Sequence, residues 1–174
     1  MSDDDQEIEE LRRQYRKLRT DPEGFLAFAD EGVRKNPTDP GAYFTRHQGW
    51  EHLGRLDLAL QDLNTSIALE PSPVSLECRG GILRKMGRYE EAIEDFNHAQ
   101  AMDPQGWKDA FLPLLRADCH ARLGNETAAM ADIANLRDDY WTPGLFGFPP
   151  GGKSVVAAEI HRRAMAARRE KPRQ

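Results

Sequence analysis

The stretch Gly87-Arg-Tyr-Glu-Glu-Ala-Ile-Glu-Asp-Phe96 joins a turn to an amphipathic helical pattern. A glycine at its start favours the left-handed backbone conformation that ends a preceding helix at little steric cost. The two glutamates fall in the first turn of the following helix, where negative charge interacts favourably with the helix dipole. Ala92, Ile93 and Phe96 then form one apolar stripe at helical spacing. The stretch therefore predicts the centre of a helix–turn–helix unit.

The same pattern occurs three times in register. The first unit contains Tyr43, Arg46, His47, Trp50, Leu53-Gly54, Ala59, Leu63 and Pro71; the second contains Leu76, Arg79, Gly80, Leu83, Met86-Gly87, Ala92, Phe96 and Pro104; the third contains Pro113, Arg116, Ala117, His120, Leu123-Gly124, Ala129 and Ile133, with Trp141 where a proline is expected. The second unit begins 33 residues after the first, and the third begins 37 residues after the second, which indicates an insertion around 105–109. Repetition at this interval predicts stacked pairs of helices.

Each repeated position has a physical role in such a unit. Large apolar residues three or four apart give the first helix a stripe for packing. A small residue, Gly80 or Ala117, lets the neighbouring helix approach closely, whereas His47 is bulky at that position. Asp39-Pro40 and Ser72-Pro73 each supply a helix N-cap followed by proline at the first helical position.

This pattern resembles the tetratricopeptide repeat family, W-x2-L-G-x2-Y…A-x3-F…P, over the chain from Pro40 to about Tyr140. The resemblance implies an all-α fold, a right-handed α-solenoid of stacked helix–turn–helix repeats with a C-terminal capping helix, in a single domain. The expected segments are a degenerate N-terminal helix pair (4–37), repeats at 40–71, 73–104 and 108–140, a Gly/Pro/aromatic loop (141–153) and the capping helix (154–170).

The segments that flank the repeats carry helical patterns of their own. The N-terminal stripe consists of Ile8, Leu11, Tyr15 and Leu18, and Asp21-Pro22 starts a second helix through Phe25, Phe28 and Val33. The loop after the third repeat holds more large apolar side chains than an unanchored linker would carry, so we expect them to pack on the last repeat. They are Trp141, Leu145, Phe146 and Phe148. Ser154 is expected to cap the final helix.

Composition and charge exclude several classes of protein. The chain is 39% hydrophobic, and no apolar run approaches the roughly 18 residues that a membrane helix needs. Its acidic start does not fit a secretory signal peptide, so we expect a cytoplasmic protein without a membrane association. The net charge of -5 argues against nucleic acid as a partner. Cys78, Cys119 and the histidines form no set with zinc-ligand spacing, so we expect no metal and no cofactor.

One motif favours a different class of protein. The segment Gly147-Phe-Pro-Pro-Gly-Gly-Lys153-Ser154 satisfies G-x-x-x-x-G-K-[ST], the phosphate-binding loop. However, no strand pattern precedes it, and two of its residues are prolines, which lack the backbone N–H groups that such a loop directs at phosphate. A nucleotide-binding enzyme that uses Lys153 is therefore a remote alternative. No catalytic set is recognisable, and we expect the chain not to be an enzyme.

The resemblance implies binding of a peptide or helix of a partner protein in a concave groove lined by the first helix of each repeat. The groove positions are those left over once the apolar stripe is assigned: Phe44, Gln48 and His52, then Glu77, Gly81 and Lys85, then Leu114, Asp118 and Arg122. Arg13 and Lys17 extend this face if the N-terminal pair stacks as expected. An adaptor is the favoured function, and a small dedicated chaperone for an aggregation-prone client is the alternative. The partner's identity and the oligomeric state stay open.

One specialisation of the family is not indicated by the groove positions. Members that bind the C-terminal carboxylates of heat-shock proteins use lysine, asparagine and arginine in the groove helices. The corresponding residues here are Phe44, Gln48, Cys78, Phe111 and Leu115. We therefore do not expect this chain to bind such a carboxylate tail.

Overall fold

The computed structural model describes residues 3–109 and 111–170. The described residues form ten helices and two short strands: α1 (Asp3–Thr20), α2 (Pro22–Lys35), α3 (Pro40–His52), α4 (Leu56–Leu69), α5 (Pro73–Lys85), α6 (Tyr89–Met102), α7 (Pro104–Asp109), α8 (Leu112–Arg122), α9 (Glu126–Ala134), β1 (Trp141–Thr142), β2 (Gly151–Gly152) and α10 (Lys153–Glu170). The prediction of an all-α fold is confirmed. The side chains of Ile8, Leu11 and Tyr15, predicted to form a stripe on α1, lie outside the described residues.

The helices form two compact units, one that ends at Ser75 and one that begins at Leu76. In the first unit, α2 and α4 both pack on α3, and the buried side chains include Phe25, Ala59 and Leu63. In the second unit, α6, α9 and α10 all pack on α8. Helix α8 is therefore the central element of the second unit.

Three interhelical turns in the described chain share one backbone geometry. Gly54, Gly87 and Gly124 have φ angles of 71°, 79° and 77°. The residue after each glycine donates its N–H to the carbonyl five residues earlier, as Arg88 does to the Leu83 oxygen at 2.9 Å. This is the left-handed glycine cap that the repeat pattern predicts, and it is confirmed at all three positions.

Of the helix N-caps predicted from the sequence, three are confirmed by the structure and one is wrong. Asp21, Asp39 and Ser72 each accept a hydrogen bond from a backbone N–H two or three residues later, which confirms them as caps. The prediction for Ser154 is wrong, because α10 begins one residue earlier, at Lys153. Ser154 therefore lies inside the first turn of that helix.

The insertion before the third repeat forms an additional short helix, α7. Its Trp107 is 1% exposed. The indole ring centre lies 6.0 Å from that of Phe96 and 4.6 Å from the guanidinium carbon of Arg116. Helix α7 contacts both α6 and α8, so the inserted residues contribute an anchored aromatic ring to the second unit.

The glycine- and proline-rich segment after α9 is only partly packed. Strands β1 and β2 pair antiparallel, and Phe148 is buried in the core of the second unit. Trp141, Leu145 and Phe146 are instead 64%, 43% and 38% exposed. The expectation that all four residues pack on the last repeat holds for Phe148 and for Phe146, whose ring lies 5.9 Å from that of Phe111 at the start of α8. Trp141 and Leu145 remain largely exposed.

Helix α10 completes the core of the second unit. Its Val156, Ile160 and Ala164 are 0% exposed and pack in one cluster with Leu114 and Ile133. Because α10 contacts both α8 and α9, it covers a face of α8 that the repeat pattern alone leaves open.

Candidate functional site

The predicted groove positions of α3 and α5 are accessible to solvent. Phe44, Gln48, Glu77 and Gly81 are half-buried, and His52 and Lys85 are exposed. On the same two helices, His47, Leu76 and Ile82 are buried and belong to the interior. Each helix therefore has one packed face and one face that a partner can reach.

Phe44 borders a cavity of about 290 Å³ in the first unit. The cavity lies between the start of α3, the end of α4 and residues 72–75. Val74, which is 53% exposed, lines it together with Gly41 and the Phe44 ring. A cavity with these walls can accept an apolar side chain of a bound segment.

Two of the predicted groove residues lie inside the protein. Leu114 is 0% and Asp118 is 1% exposed, although both were expected on an open face of α8. The physical reason is that α10 packs across this face, with Ile160 in the same cluster as Leu114. Of the three predicted positions on α8, only Arg122 is exposed.

Asp118 is instead the centre of an ion-pair cluster. Its carboxylate accepts hydrogen bonds from Arg84 Nη1 at 2.6 Å, from Arg163 Nη1 at 2.6 Å and from Arg122 Nε at 3.3 Å. A buried carboxylate needs such partners, because an unpaired charge in the interior costs several kcal/mol, roughly 3–5 when one partner of a buried pair is removed. The cluster fixes the end of α5 and α10 against α8.

A second carboxylate, Glu159, extends this cluster along α10. It accepts hydrogen bonds from Arg162 Nε at 2.7 Å and from Arg163 Nε at 2.7 Å. The hydrogen bonds from Arg162, followed by those from Arg163, lower the pKa of Glu159 to about 2 against the opposing effect of burial. Arg163 also donates to the Gly147 oxygen and stacks 4.1 Å from the centre of the Phe148 ring, which ties the loop to α10.

A bidentate ion pair recurs in each of the three repeats. Arginine Nε and Nη2 bind the two carboxylate oxygens of an aspartate sixteen residues later, at 2.5–2.9 Å, in Arg46–Asp62, Arg79–Asp95 and Arg116–Asp132. The three aspartates are 3–4% exposed. The arginines belong to the repeat pattern read from the sequence, but the aspartates were missed. Their spacing, 33 and then 37 residues, repeats that of the arginines and was the available signal.

Glu77 is the groove position with a perturbed carboxyl group. Burial raises its pKa, and the nearby charge of Asp103 raises it further. Because a carboxylate in such surroundings is poorly solvated, a cationic group brought close to Glu77 gains more than it would at an exposed glutamate. The position therefore suits a basic side chain of a partner.

Lys153, the residue that a phosphate-binding loop would use, has another role. Its Nζ donates to the carbonyl oxygens of Leu136 at 2.7 Å and Ala134 at 3.1 Å. It thereby interacts with backbone carbonyls at the end of α9. In the same segment, Gly151 and Gly152 form β2, which pairs with an antiparallel strand of two residues. The segment is part of a hairpin that leads into α10.

The helix pairs, the repeated glycine turns and the repeated ion pairs together define a helical-repeat protein. The model of the tetratricopeptide repeat matches residues 73–105. The predicted resemblance to tetratricopeptide repeats is confirmed for this segment of the chain. No curated protein sequence matches the chain. The tetratricopeptide fold is typically a non-enzymatic scaffold for protein–protein interactions. No helix in the described part of the chain combines the length and apolar character needed to cross a membrane.

Several solved structures are similar in fold. A tetratricopeptide repeat protein from Parabacteroides merdae ATCC 43184 has a TM-score of 0.67 at 18% identity, with 92% of this chain covering 59% of that chain. The MamA RS-1 ArsTM double mutant has a TM-score of 0.67 at 21% identity, with 97% of each chain covered. The C-terminal part of a repeat-containing protein from Cytophaga hutchinsonii has a TM-score of 0.61 at 18% identity, with 90% and 64% covered. The chain thus spans about three fifths of the length of the first of these proteins.

Proposed function

We propose that the protein is an adaptor that binds a peptide or helix of a partner protein at accessible helix faces, that of α3 in the first unit and that of α5 in the second. The observation that carries this proposal is the division of both helices into a buried and an accessible face. Phe44 and Gln48 lie on the accessible side of α3, and Glu77, Gly81 and Lys85 lie on that of α5.

The accessible faces offer complementary kinds of contact. The cavity beside Phe44 suits an apolar side chain, whereas Glu77 suits a basic one. Adding a side-chain carbon at Gly81 would meet no atom within 4 Å, so a partner backbone can approach α5 closely there. Helix α8 contributes Arg122 alone, because Leu114 and Asp118 are covered by α10.

The test is capture of a partner from cells that express the tagged chain, followed by mass spectrometry. We expect the variant Lys85→Glu with Arg122→Glu to lose partners that the unaltered protein retains. A matched control reverses two exposed basic residues outside the proposed site, Arg55→Glu with Arg169→Glu. Helical circular dichroism must be unchanged in both variants. Partners that bind all three proteins equally would contradict the proposed site.

A dedicated chaperone is the second candidate, and the loop between β1 and β2 favours it. Trp141 and Leu145 are exposed apolar residues, and Phe146 is 38% exposed, on a loop that is anchored by Phe148. Exposed groups of this kind bind apolar segments of unfolded chains. If the protein is a chaperone, its client becomes insoluble in cells that lack it; a client that stays soluble there would contradict this role.

A further inference from the structure

The second unit contains a cavity of about 470 Å³, and Arg122 is the one groove position in its lining. Its walls come from Tyr89 at the start of α6, Arg122 at the end of α8, and Arg162 and Arg163 on α10. Ala166 and its neighbour Ala167 also line it, and their small side chains leave room beside the guanidinium groups. We refer to this space as the arginine cavity.

Positive charge exceeds negative charge around the arginine cavity. Among the described residues, four guanidinium groups surround the carboxylates of Asp118 and Glu159, through the contacts given above. One further acidic residue, Glu170, lines the cavity, so the group as a whole keeps an excess of one positive charge. The surplus lies where a ligand can reach it, because the side chains of Arg122 and Arg162 are 46% and 69% exposed.

The two exposed arginines differ in how firmly they are held. Arg162 forms a bidentate pair with Glu159, at 2.6 and 2.7 Å, and the same carboxylate also accepts from Arg163. Arg122 makes one long hydrogen bond, from Nε to Asp118 at 3.3 Å, whereas Asp118 accepts shorter bonds of 2.6 Å from Arg84 and Arg163. Its guanidinium group is therefore available to a stronger acceptor that enters the cavity.

We propose that the arginine cavity binds a carboxylate side chain of an acidic segment of the partner protein, held between Arg122 and Arg162. This inference rests on the proposed function and specifies the chemistry of the partner. Guanidinium groups suit carboxylates, because their planar N–H groups form paired, charge-assisted hydrogen bonds. An acidic segment that continues from this cavity places its other side chains against the rest of the second unit.

The test uses fluorescein-labelled hexaglutamate as the probe, with hexaglutamine as the uncharged control, and follows fluorescence anisotropy at low salt. We expect hexaglutamate to bind saturably and hexaglutamine not to bind. The double variant Arg122→Gln with Arg162→Gln should weaken hexaglutamate binding by about tenfold or more, because two charged donors are removed. The matched control is Arg169→Gln, an exposed arginine on the same helix that does not line the cavity. Melting temperature and circular dichroism verify the fold of each variant, and the single variant Arg162→Gln replaces the double variant if the latter is destabilised.

Two results would overturn the inference. One is equal loss of hexaglutamate binding in Arg169→Gln, which would indicate attraction to basic charge in general. The other is absence of saturable binding to the unaltered protein. Arg122 belongs to both the groove and the cavity, so the single variant at Arg162, which lies outside the groove positions, separates this outcome from that of the proposed function. If partner capture is lost in Lys85→Glu with Arg122→Glu but is unchanged in Arg162→Glu, the proposed adaptor function stands. The proposed binding of an acidic segment in the arginine cavity is then wrong.

Discussion

Cys78 and Cys119 lie in different surroundings within the second unit. Cys119 is fully buried, and burial, with the charge of Asp118 adding to it, raises the pKa of its thiol to about 12. Cys78 is half-buried. Because the thiolate is the reactive form of cysteine, the environment rather than the residue type decides which thiol reacts.

We expect Ellman's reagent to modify one thiol of the native protein at pH 8, that of Cys78, and two thiols in denaturant. The variant Cys78→Ser should show no fast reaction while folded, and Cys119→Ser should react like the unaltered protein. Rapid modification of Cys119 in the native state would contradict the buried position of α8.

The stability of the first unit is expected to depend on pH through His47. Its ring is 1% exposed, and burial lowers its pKa below the ordinary value of 6.5. The unfolded chain therefore binds a proton at this site more readily than the folded one, so stability is complete above pH 6.5 and falls as the pH drops below it.

We expect acidification from pH 7.5 to 5.5 to reduce the free energy of unfolding less in His47→Ala than in the unaltered protein, as measured by urea unfolding at each pH. His120 has a lowered pKa for the same first cause, burial, so part of the dependence should persist in the variant. Identical pH profiles of the two proteins would show that His47 is accessible to protons in the folded state.

At the scale of the element, the Arg–Asp pairs join the two helices of each repeat at the same relative position. Breaking a buried pair is costly because it leaves one charge without a partner. For Asp132→Ala, which leaves Arg116 unpaired, we expect a loss of about 3 kcal/mol in the free energy of unfolding. Glu94→Ala, at an exposed acidic position on α6, should change it by less than about 0.5 kcal/mol.

The double variant Arg116→Met with Asp132→Leu should recover part of the loss, because it leaves no unpaired charge behind. Urea unfolding monitored by circular dichroism measures all three variants. A loss in Asp132→Ala no larger than that in Glu94→Ala would show that the pair contributes little to stability.

Two adjacent glycines on α5 have opposite roles. An added carbon at Gly80 would lie 2.8 Å from the Phe96 ring, whereas one at Gly81 would meet nothing within 4 Å. We expect Gly80→Ala to reduce the free energy of unfolding by about 1–3 kcal/mol through overpacking. Gly81→Ala should raise it by about 0.5–1 kcal/mol, since alanine favours the helix. Thermal unfolding compares the pair, and a destabilised Gly81→Ala would mean that this face of α5 is packed.

The sequence alone could predict where the helices and turns lie far better than which helices pack against each other. The glycine turns and the caps at Asp39 and Ser72 depend on residues close together in the chain, so local rules suffice. The aspartates of the ion pairs follow the same interval as their arginines, yet their role becomes visible only when both helices of a repeat are placed. The contact between Leu114 and α10 joins segments far apart in sequence, and no periodicity within α8 reveals it.

At the scale of the whole chain, the second unit depends on its last helix. Ile160 on α10 is 0% exposed within the core cluster. We expect Ile160→Ala to cost about 2–5 kcal/mol, because a buried cavity is left behind. Val155→Ala, on the same helix but 37% exposed, should cost less than about 1 kcal/mol. Hydrogen exchange of α8 amides reports both effects, and equal protection in the two variants would contradict the packing of α10.

The contact between α10 and α8 has a consequence for synthesis on the ribosome. The apolar face of α8 around Leu114 emerges first, while the residues that cover it, Val156 to Ala164, are still to be made. During that interval the nascent chain exposes an apolar surface of the kind that molecular chaperones bind.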